Sequence, residues 1–326
     1  MNLRKRITAL LACCGMLILI LDGKTALSGA SAGVALCFKT VIPSLFPFLF
    51  LSALLTNGLW GGQAFWMHSV GKKLGIPEGA ESVLISAVLG GYPAGAQIVG
   101  SAYQGGTLSE ADAKHLLSFC SNAGPAFLFG MTAAMFPDKE TAWALWAIQL
   151  LSAALTAITG RHSPEHPAAL PAADPSLSEL LFRTIRVMAT ICGWVLLFQM
   201  VSTFLEKWIL FLLPPEVRVL VTGLLELSSG CVCLNLVESI PLRFLICSIC
   251  LSFGGLCVTM QTISVIGSLP ALSYLTGKLR QTFFSLFLSA LYLQLGWSIL
   301  AVSCFFIWIF PFPAKKRSGF PSAQGV

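Results

Sequence analysis

Long stretches without charged side chains dominate this sequence and limit what it can fold into. A membrane-spanning helix needs about 20 mostly apolar residues. Only 10% of the residues are charged, against roughly 25% in soluble domains. The sequence therefore predicts an all-α polytopic membrane protein with about 8–9 hydrophobic segments. Nine windows contain no charged residue or, in one case, a single Glu: 7–21, 44–60, 82–103, 115–136, 141–159, 187–205, 219–237, 244–266 and 282–310.

Three segments near the N-terminus are harder to interpret. Window 7–21 has only 15 residues and follows Arg4-Lys5-Arg6, a pattern that also fits a cleaved signal peptide. We predict a retained helix there. Residues 24–42 and 63–75 are too mixed in polarity to span, so we predict interfacial helices.

The basic residues are interpreted as topology markers. The formal net charge is +6, but Lys and Arg lie near the termini and between apolar segments, so no nucleic acid is predicted as a partner. With nine simple spans, ten basic residues, including Lys278 and Arg280, fall in cytoplasmic loops and ten fall outside. If 82–103 enters and returns to the same side, the split becomes thirteen to seven. The charges thus favour at least one segment that is not a plain span.

A polar, proline-rich stretch at 161–178 divides the chain. We predict a solvated linker; His162, Glu165 and His166 are weaker candidates for a metal or proton site. The predicted organisation follows from this division. It comprises an N-terminal membrane helix and interfacial helix at 1–40, a first membrane repeat at 41–160, the linker at 161–178, a second repeat at 179–313 and a basic tail at 314–326.

The eleven cysteines do not indicate a metal site or a disulfide framework. Most lie in apolar stretches without a nearby His or carboxylate. Cys247 and Cys250 have the C-x-x-C spacing, but no second ligand pair accompanies them. We expect small apolar side chains inside helices, no metal and no cofactor.

Four interruptions of the apolar windows indicate where a polar site can lie. Freed backbone groups are costly in hydrocarbon unless protein or water satisfies them. Paired interruptions in two halves are typical of repeat-built transporters that bind substrate near the midplane. Any one of them alone fits close helix packing equally well. They are Gly90-Gly91-Tyr92-Pro93-Ala94-Gly95, Ser121-Asn122-Ala123-Gly124-Pro125, Ser228-Ser229-Gly230 and Ser252-Phe253-Gly254-Gly255.

The chemistry of these interruptions suits a small anion or a polar heterocycle. Helix N-termini present N–H groups and a positive dipole end, and Ser and Asn donate or accept hydrogen bonds. No nucleophile–base pair accompanies them, so we do not expect an enzyme. The predicted substrate-binding residues are Gly91, Tyr92, Pro93, Gln97, Ser121, Asn122, Gly124, Ser228, Ser229, Gly230, Gly254, Gly255 and Gln261.

Glu226 is the one ionisable residue inside window 219–237. An intramembrane carboxylate is a candidate for coupling or gating, or for orienting broken backbone. The alternative is a position near the interface, where Glu226 caps a helix or pairs with Arg218 or Arg243. Arg183 and Arg186 are interpreted first as topology markers, although they are also able to attract an anion.

These motifs resemble the sporulation integral membrane protein family (YlbJ-like), which carries the nucleoside-recognition or Gate domain. The resemblance covers about residues 40–300, with one difference at Leu227-Ser228, where Val-Thr is expected. It rests on Val41-Ile42-Pro43-Ser44-Leu45-Phe46-Pro47-Phe48, Gly91-Tyr92-Pro93-Ala94-Gly95-Ala96, Leu117-Ser118-Phe119, Asn122-Ala123-Gly124-Pro125-Ala126-Phe127 with Phe129-Gly130, Gly223-Leu224-Leu225-Glu226-Leu227-Ser228-Ser229-Gly230, and Phe253-Gly254-Gly255 with Gln261.

The resemblance implies a protein of endospore-forming bacteria that is needed for the spore cortex. It implies gate elements similar to those of concentrative nucleoside transporters, and transport of dipicolinic acid across the mother-cell-derived outer forespore membrane. The expected partners are a small organic anion, the lipid bilayer and a coupling ion, either proton or sodium. Two alternatives stay open: a nucleoside permease, and a membrane scaffold for spore assembly that transports nothing.

Overall fold

The computed structural model describes residues 3–61, 65–160, 162–164, 166–169 and 175–309. The predicted basic tail at 314–326 and parts of the linker at 161–178 lie outside the described residues. Within the described ranges the chain is helical and contains no strand. The helices are α1 (Leu3–Leu21), α2 (Gly23–Leu36), α3 (Ile42–Gly58), α4 (Phe65–Leu74), α5 (Val83–Ile85), α6 (Ala94–Gln104), α7 (Glu110–Leu117), α8 (Pro125–Phe127), α9 (Glu140–Thr159), α10 (Leu177–Trp208), α11 (Pro215–Leu225), α12 (Leu227–Cys233), α13 (Ile240–Phe253), α14 (Gly255–Val265), α15 (Ala271–Leu295) and α16 (Trp297–Ile309).

The distribution of polar and apolar side chains is that of a membrane protein. Large apolar side chains on α10 and α15, such as Phe182 and Phe283, are 68% and 67% exposed, whereas Lys278 and Gln281 are completely buried. Such outward apolar surface suits lipid rather than water. Among the described residues, four helical stretches are long and apolar enough to cross a bilayer: Gly23–Gly58, Glu140–Thr159, Leu177–Trp208 and Ile240–Val265. The chain is therefore an integral membrane protein.

The segment 24–42 is part of a longer helix, which differs from the sequence prediction of a separate interfacial helix. A π-helical turn at Cys37–Val41 joins α2 to α3, so that helical structure continues through Gly23–Gly58. On α2, Gly29 and Gly33 pack closely against the backbone of α10, at Met200 and Leu196. Small residues allow this close approach of two helices. The mixed polarity of residues 24–42 thus reflects the face on which α2 packs against α10, rather than a helix lying on the membrane surface.

The window 282–310 contains two helices rather than one. Helix α15 begins at Ala271, well before the window, and ends at Gly296, whose φ of 63° only glycine adopts readily; α16 follows. Consequently Lys278 and Arg280 lie within a helix, and their assignment to a cytoplasmic loop was wrong. Two charged residues had displaced the predicted start of this helix.

Helices α9, α13 and α15 pack together in one group. Helix α15 packs against both α9 and α13. On its buried face, Ser285 and Ser289 each lie 2.7 Å from the hydroxyl oxygen of Ser248 on α13. Inter-helical hydrogen bonds of this kind hold membrane helices together where no hydrophobic driving force acts between them. Helix α15 contacts the first two interruptions, and α13 ends at the fourth.

Part of the linker packs on the first half of the chain, so it is not fully solvated as predicted. His162 Nε2 lies 2.6 Å from an Asp112 carboxylate oxygen, and the His162 ring packs against the His115 ring at a tilt of 31°, with centroids 4.7 Å apart. The backbone N–H of Ala168 donates to the Glu78 carbonyl at 2.8 Å. His162 is thus held by its contact with Asp112, and the described residues contain no cluster of ligands suited to a metal.

Candidate functional site

Three of the four predicted interruptions coincide with breaks between helical segments. Gly91, with φ of 74°, separates a π-helical turn at Ser86–Gly90 from α6. Residues 121–124 are non-helical and precede α8. Gly254 ends α13 in the left-handed conformation, and α14 begins at Gly255. Glycine adopts positive φ without strain, which explains why the chain turns at Gly91 and Gly254.

The third interruption lies earlier than predicted. Helix α11 ends at Leu225, and the extended residue Glu226 (φ −139°, ψ 113°) connects it to α12. Ser228-Ser229-Gly230, predicted to be the interruption, form the first turn of α12. Gly230 serves packing instead, because a Cβ at this position would overlap the backbone of Gly223.

The interruptions contact one another. A Cβ added to Gly124 would lie 3.0 Å from Gly91 Cα, so the first two interruptions touch. A Cβ added to Gly254 would lie 3.0 Å from the Tyr92 ring, which joins the first to the fourth. A Cβ added to Gly255 would lie 2.9 Å from the carbonyl oxygen at the end of α11, Gly223 O. The four breaks in the helices therefore form one connected centre.

A small cavity lies at this centre. Its volume is about 30 Å³, which is room for about one water molecule. Tyr92, Gly124, Glu226, Ser228 and Gln261, all predicted site residues, line it. We call it the central cavity. Its remaining lining is apolar: Val41, Leu45, Ala123, Phe127, Ile191, Val195, Leu227 and Val258.

Glu226 lines the central cavity and caps α12. The residue is 2% exposed. Its two carboxylate oxygens accept hydrogen bonds from the backbone N–H groups of Ser228, at 3.0 Å, and Ser229, at 2.6 Å. Its proposed pairing with Arg218 or Arg243 is not observed: Arg218 pairs with Glu206, and Arg243 donates to the carbonyls of residues 135 and 237. Glu226 therefore orients the broken backbone, one of the roles expected from the sequence.

A buried lysine, which the sequence analysis missed, lies behind the central cavity. Lys278 on α15 donates hydrogen bonds from Nζ to Tyr92 Oη at 3.0 Å, to Gln281 Oε1 at 2.7 Å and to the carbonyl oxygen of Ser121. Gln281 Nε2 in turn donates to Asn122 Oδ1 at 2.7 Å. The lysine thus connects the first and second interruptions to the central helix α15.

A recurring polar stripe was the signal that would have identified this lysine. Lys278, Gln281, Ser285 and Ser289 follow at spacings of three or four residues along α15. Residues at such spacings share one helix face. Polar side chains facing a membrane bundle interior mark functional or packing sites.

A larger cavity opens beside the central one. Its volume is about 370 Å³, and residues of α3, α6 and α10 line it. We call it the outer cavity. Gln97 lines it, together with Arg183, whose guanidinium contacts Glu179 at 2.5 Å. Helices α3 and α10 contribute to both cavities, with Leu49 beside the outer cavity and Leu45, one turn away, beside the central one.

The remaining predicted site residues lie at the interruptions without lining either cavity. Pro93 precedes α6 as its N-cap. Asn122 donates to the carbonyls of Ala87 at 3.2 Å and Phe119 at 2.9 Å. The Ser229 hydroxyl lies within hydrogen-bond distance of two acceptors, Glu226 Oε2 at 2.7 Å and Gln199 Oε1. The positions in this group are Gly91, Pro93, Ser121, Asn122, Ser229, Gly230, Gly254 and Gly255.

The fold and this centre define a class: an α-helical integral membrane protein whose interrupted helices meet at a buried polar centre. A comparison with curated proteins finds a similar chain, the sporulation integral membrane protein YlbJ of Bacillus subtilis (strain 168). The two are 29% identical over 146 residues, which cover 42% of this chain and 35% of the relative. The match thus spans about a third of the relative's length. No family profile matches the chain, and no solved structure is significantly similar to it.

Proposed function

We propose that this protein is a transporter of a small organic anion, with dipicolinic acid as the favoured substrate. The observation that carries the proposal is the central cavity, which is lined by residues of the first three helix interruptions and of α14, the helix that follows the fourth. Substrate sites formed by discontinuous helices are a recurring feature of secondary transporters. The proposal includes two membrane repeats and about 8–9 hydrophobic segments, because paired interruptions at matching positions are typical of this architecture.

The sporulation context comes from the relative. The similarity to a sporulation integral membrane protein, together with the Gate-like motifs, supports a role in spore formation. We place the protein in the mother-cell-derived outer forespore membrane, where dipicolinic acid moves during formation of the spore cortex. Dipicolinate is a planar dianion whose carboxylates suit Ser, Asn and backbone N–H donors.

The described conformation is closed to such a substrate. A central cavity of about 30 Å³ does not admit a pyridine ring with two carboxylates. The outer cavity, at about 370 Å³, has the size of a small-molecule site. Substrate therefore enters through the outer cavity and reaches the central one only when the interruptions move apart. Rocking of one half against the other is the usual form of such motion.

Glu226 is the proposed coupling residue. Its carboxylate lines the central cavity, where a negative charge opposes entry of an anion. Binding of a proton to Glu226, or of sodium beside it, removes that opposition. Transport of the anion is then linked to a cation gradient.

The experiment is uptake of radiolabelled dipicolinate into proteoliposomes that carry the purified full-length protein. Saturable uptake above that of empty liposomes, driven by an imposed proton or sodium gradient, is the expected result. Excess unlabelled dipicolinate should compete, and uridine should not. Competition by uridine would indicate a nucleoside permease. Absence of uptake under gradients of either sign would overturn the transporter proposal.

A further inference from the structure

Lys278 is a buried basic residue for which the proposed function has no role. The side chain is 0% exposed and lies in the interior of α15. Its nitrogen lies within 3.0 Å of Tyr92 Oη, and Tyr92 lines the central cavity. A single aromatic side chain therefore connects the lysine and the cavity.

The surroundings of Lys278 fit an ammonium group. Tyr92 has one hydroxyl hydrogen, which it donates to the Leu251 carbonyl at 3.0 Å, so its oxygen is free to accept from Lys278. With Ser121 O and Gln281 Oε1, three acceptors face the three N–H donors of an ammonium. The rings of Tyr92 and Tyr274 lie 4.8 and 5.9 Å from Nζ, and aromatic faces attract cations.

No carboxylate pairs with an ammonium group at Lys278 in the described part of the chain. The three acceptors are neutral, and Lys278 takes part in none of the ion pairs between described residues. The carboxylate that lines the central cavity, Glu226, is occupied by the N–H groups of Ser228 and Ser229. In a low-dielectric interior an uncompensated charge acts over several ångströms.

We infer that Lys278 is the residue that makes the central cavity selective for carboxylate anions, because its ammonium supplies the charge that a ligand carboxylate compensates. This inference rests on the proposed function, in which the cavity receives an organic anion. The N-terminus of α12 does not supply the positive charge, since its free N–H groups at Ser228 and Ser229 already donate to the Glu226 carboxylate. Lys278 acts through Tyr92 and Ser121 and is a specificity-determining residue.

The test compares a charged ligand with a neutral ligand of the same shape. Dipicolinate and its diamide, pyridine-2,6-dicarboxamide, are titrated into the purified full-length protein in detergent, and dissociation constants are measured calorimetrically. Wild type is expected to prefer the dianion by about tenfold or more. K278M should lose this preference while its affinity for the diamide changes by less than about threefold. K278R retains the charge and should retain the preference.

A second variant tests the charge without removing the lysine. Q281E places a carboxylate about where Gln281 Oε1 now accepts from Nζ at 2.7 Å, so the lysine acquires an internal counter-charge. Loss of the preference for the dianion is expected here as well, and this variant decides the question if K278M does not fold.

Two outcomes would overturn the inference. If K278M weakens both ligands equally and Q281E keeps the wild-type preference, Lys278 is structural, while the proposed function stands. If wild type binds neither ligand and does not take up dipicolinate, the proposed function fails and the inference fails with it.

Discussion

At the scale of single residues, the site is dominated by buried polar groups that satisfy one another. Glu226, Lys278 and Asn122 each make two or more hydrogen bonds while 0–2% of each residue is exposed. A buried polar group without partners costs about 1–3 kcal/mol, and a charged one costs more. The partners at this centre are largely backbone groups freed by the helix interruptions. Broken helices and buried polar side chains therefore stabilise each other.

Replacing Glu226 should destabilise the third interruption. E226Q keeps one oxygen acceptor but presents an amide NH₂ to the second of the two backbone N–H groups at Ser228 and Ser229. We expect a loss of about 1–3 kcal/mol of stability. Thermal unfolding of the purified variant in detergent measures it. A matched control is E216Q, in the first turn of α11 on a less buried side chain, which should change stability by less than about 0.5 kcal/mol. Equal effects of the two substitutions would contradict the capping role of Glu226.

A second residue-scale prediction concerns acid stability outside the four helices of spanning length. Burial lowers the pKa of His115 from 6.5 to about 4, in spite of its hydrogen bond to Leu74 O. Around it lie His162, Asp112 and, farther away, Arg280. Burial also acts to raise the pKa of Asp112, but hydrogen bonds from His162 and Ser109 outweigh it and lower that pKa.

The sign of this pH dependence follows from linkage. The unfolded His115 binds a proton below about pH 6.5, whereas the folded one does so only near pH 4. The stabilisation that results from burying neutral His115 is complete above pH 6.5. As the pH falls towards 4, the free energy of unfolding decreases by at most about 1.4 kcal/mol per pH unit from this residue. Thermal unfolding between pH 7.5 and 4.5 should show this decline. H115Q, which does not titrate, should decline less over the same range; an identical decline would contradict the assignment.

At the scale of elements, glycines allow interrupted segments to lie closer than any side chain would permit. A Cβ at Gly95, in the first turn of α6, would overlap the carbonyl oxygen of Cys120 at the second interruption. The obstacle is backbone, which cannot rotate aside. This contact fixes α6 against the loop that carries Ser121 and Asn122.

G95A should therefore disrupt the arrangement of the first two interruptions. The expected result is a loss of more than about 3 kcal/mol, or failure to fold, since overpacking a rigid site forces the backbone to shift. The control is G193A on α10, where an added Cβ meets nothing within 4 Å. That substitution should leave stability unchanged or raise it by about 0.5–1 kcal/mol. Thermal unfolding of the two variants compares them, and tolerance of G95A would show that the contact is not required.

The sequence predicted three of the four interruptions because glycine and proline create them directly. At Gly91, Gly254 and the stretch before Pro125, the residue type itself dictates the local backbone. The third interruption was predicted too late in the chain. Glu226 ends α11 and caps α12, and this role depends on the positions of the Ser228 and Ser229 N–H groups, which residue type alone does not reveal. Lys278 was misplaced because a charge near an apolar window was interpreted as a loop, and burial of a lysine depends on tertiary partners that no single segment reveals.

At the scale of the whole molecule, two cavities lie along the same pair of helices. The outer cavity is lined by α3, α6 and α10, and the central cavity by residues of the first three interruptions together with α14, the early part of α3 and the middle of α10. Apolar residues of α3 and α10, including Leu49 and Met188, belong to one buried cluster. In the proposed transporter, a small central cavity beside a larger one corresponds to a conformation closed around the substrate site.

The central claim is that the cavity between the interruptions is the substrate site, and uptake by two variants of α12 tests it most directly. Ser228 lines the cavity, whereas Val232, one turn along, is 54% exposed. Radiolabelled dipicolinate uptake is measured in proteoliposomes with equal amounts of wild type, S228L and V232L. We predict that S228L, which fills the cavity, lowers uptake at least about tenfold, while V232L transports as wild type does. Equal uptake by all three proteins would contradict the claim.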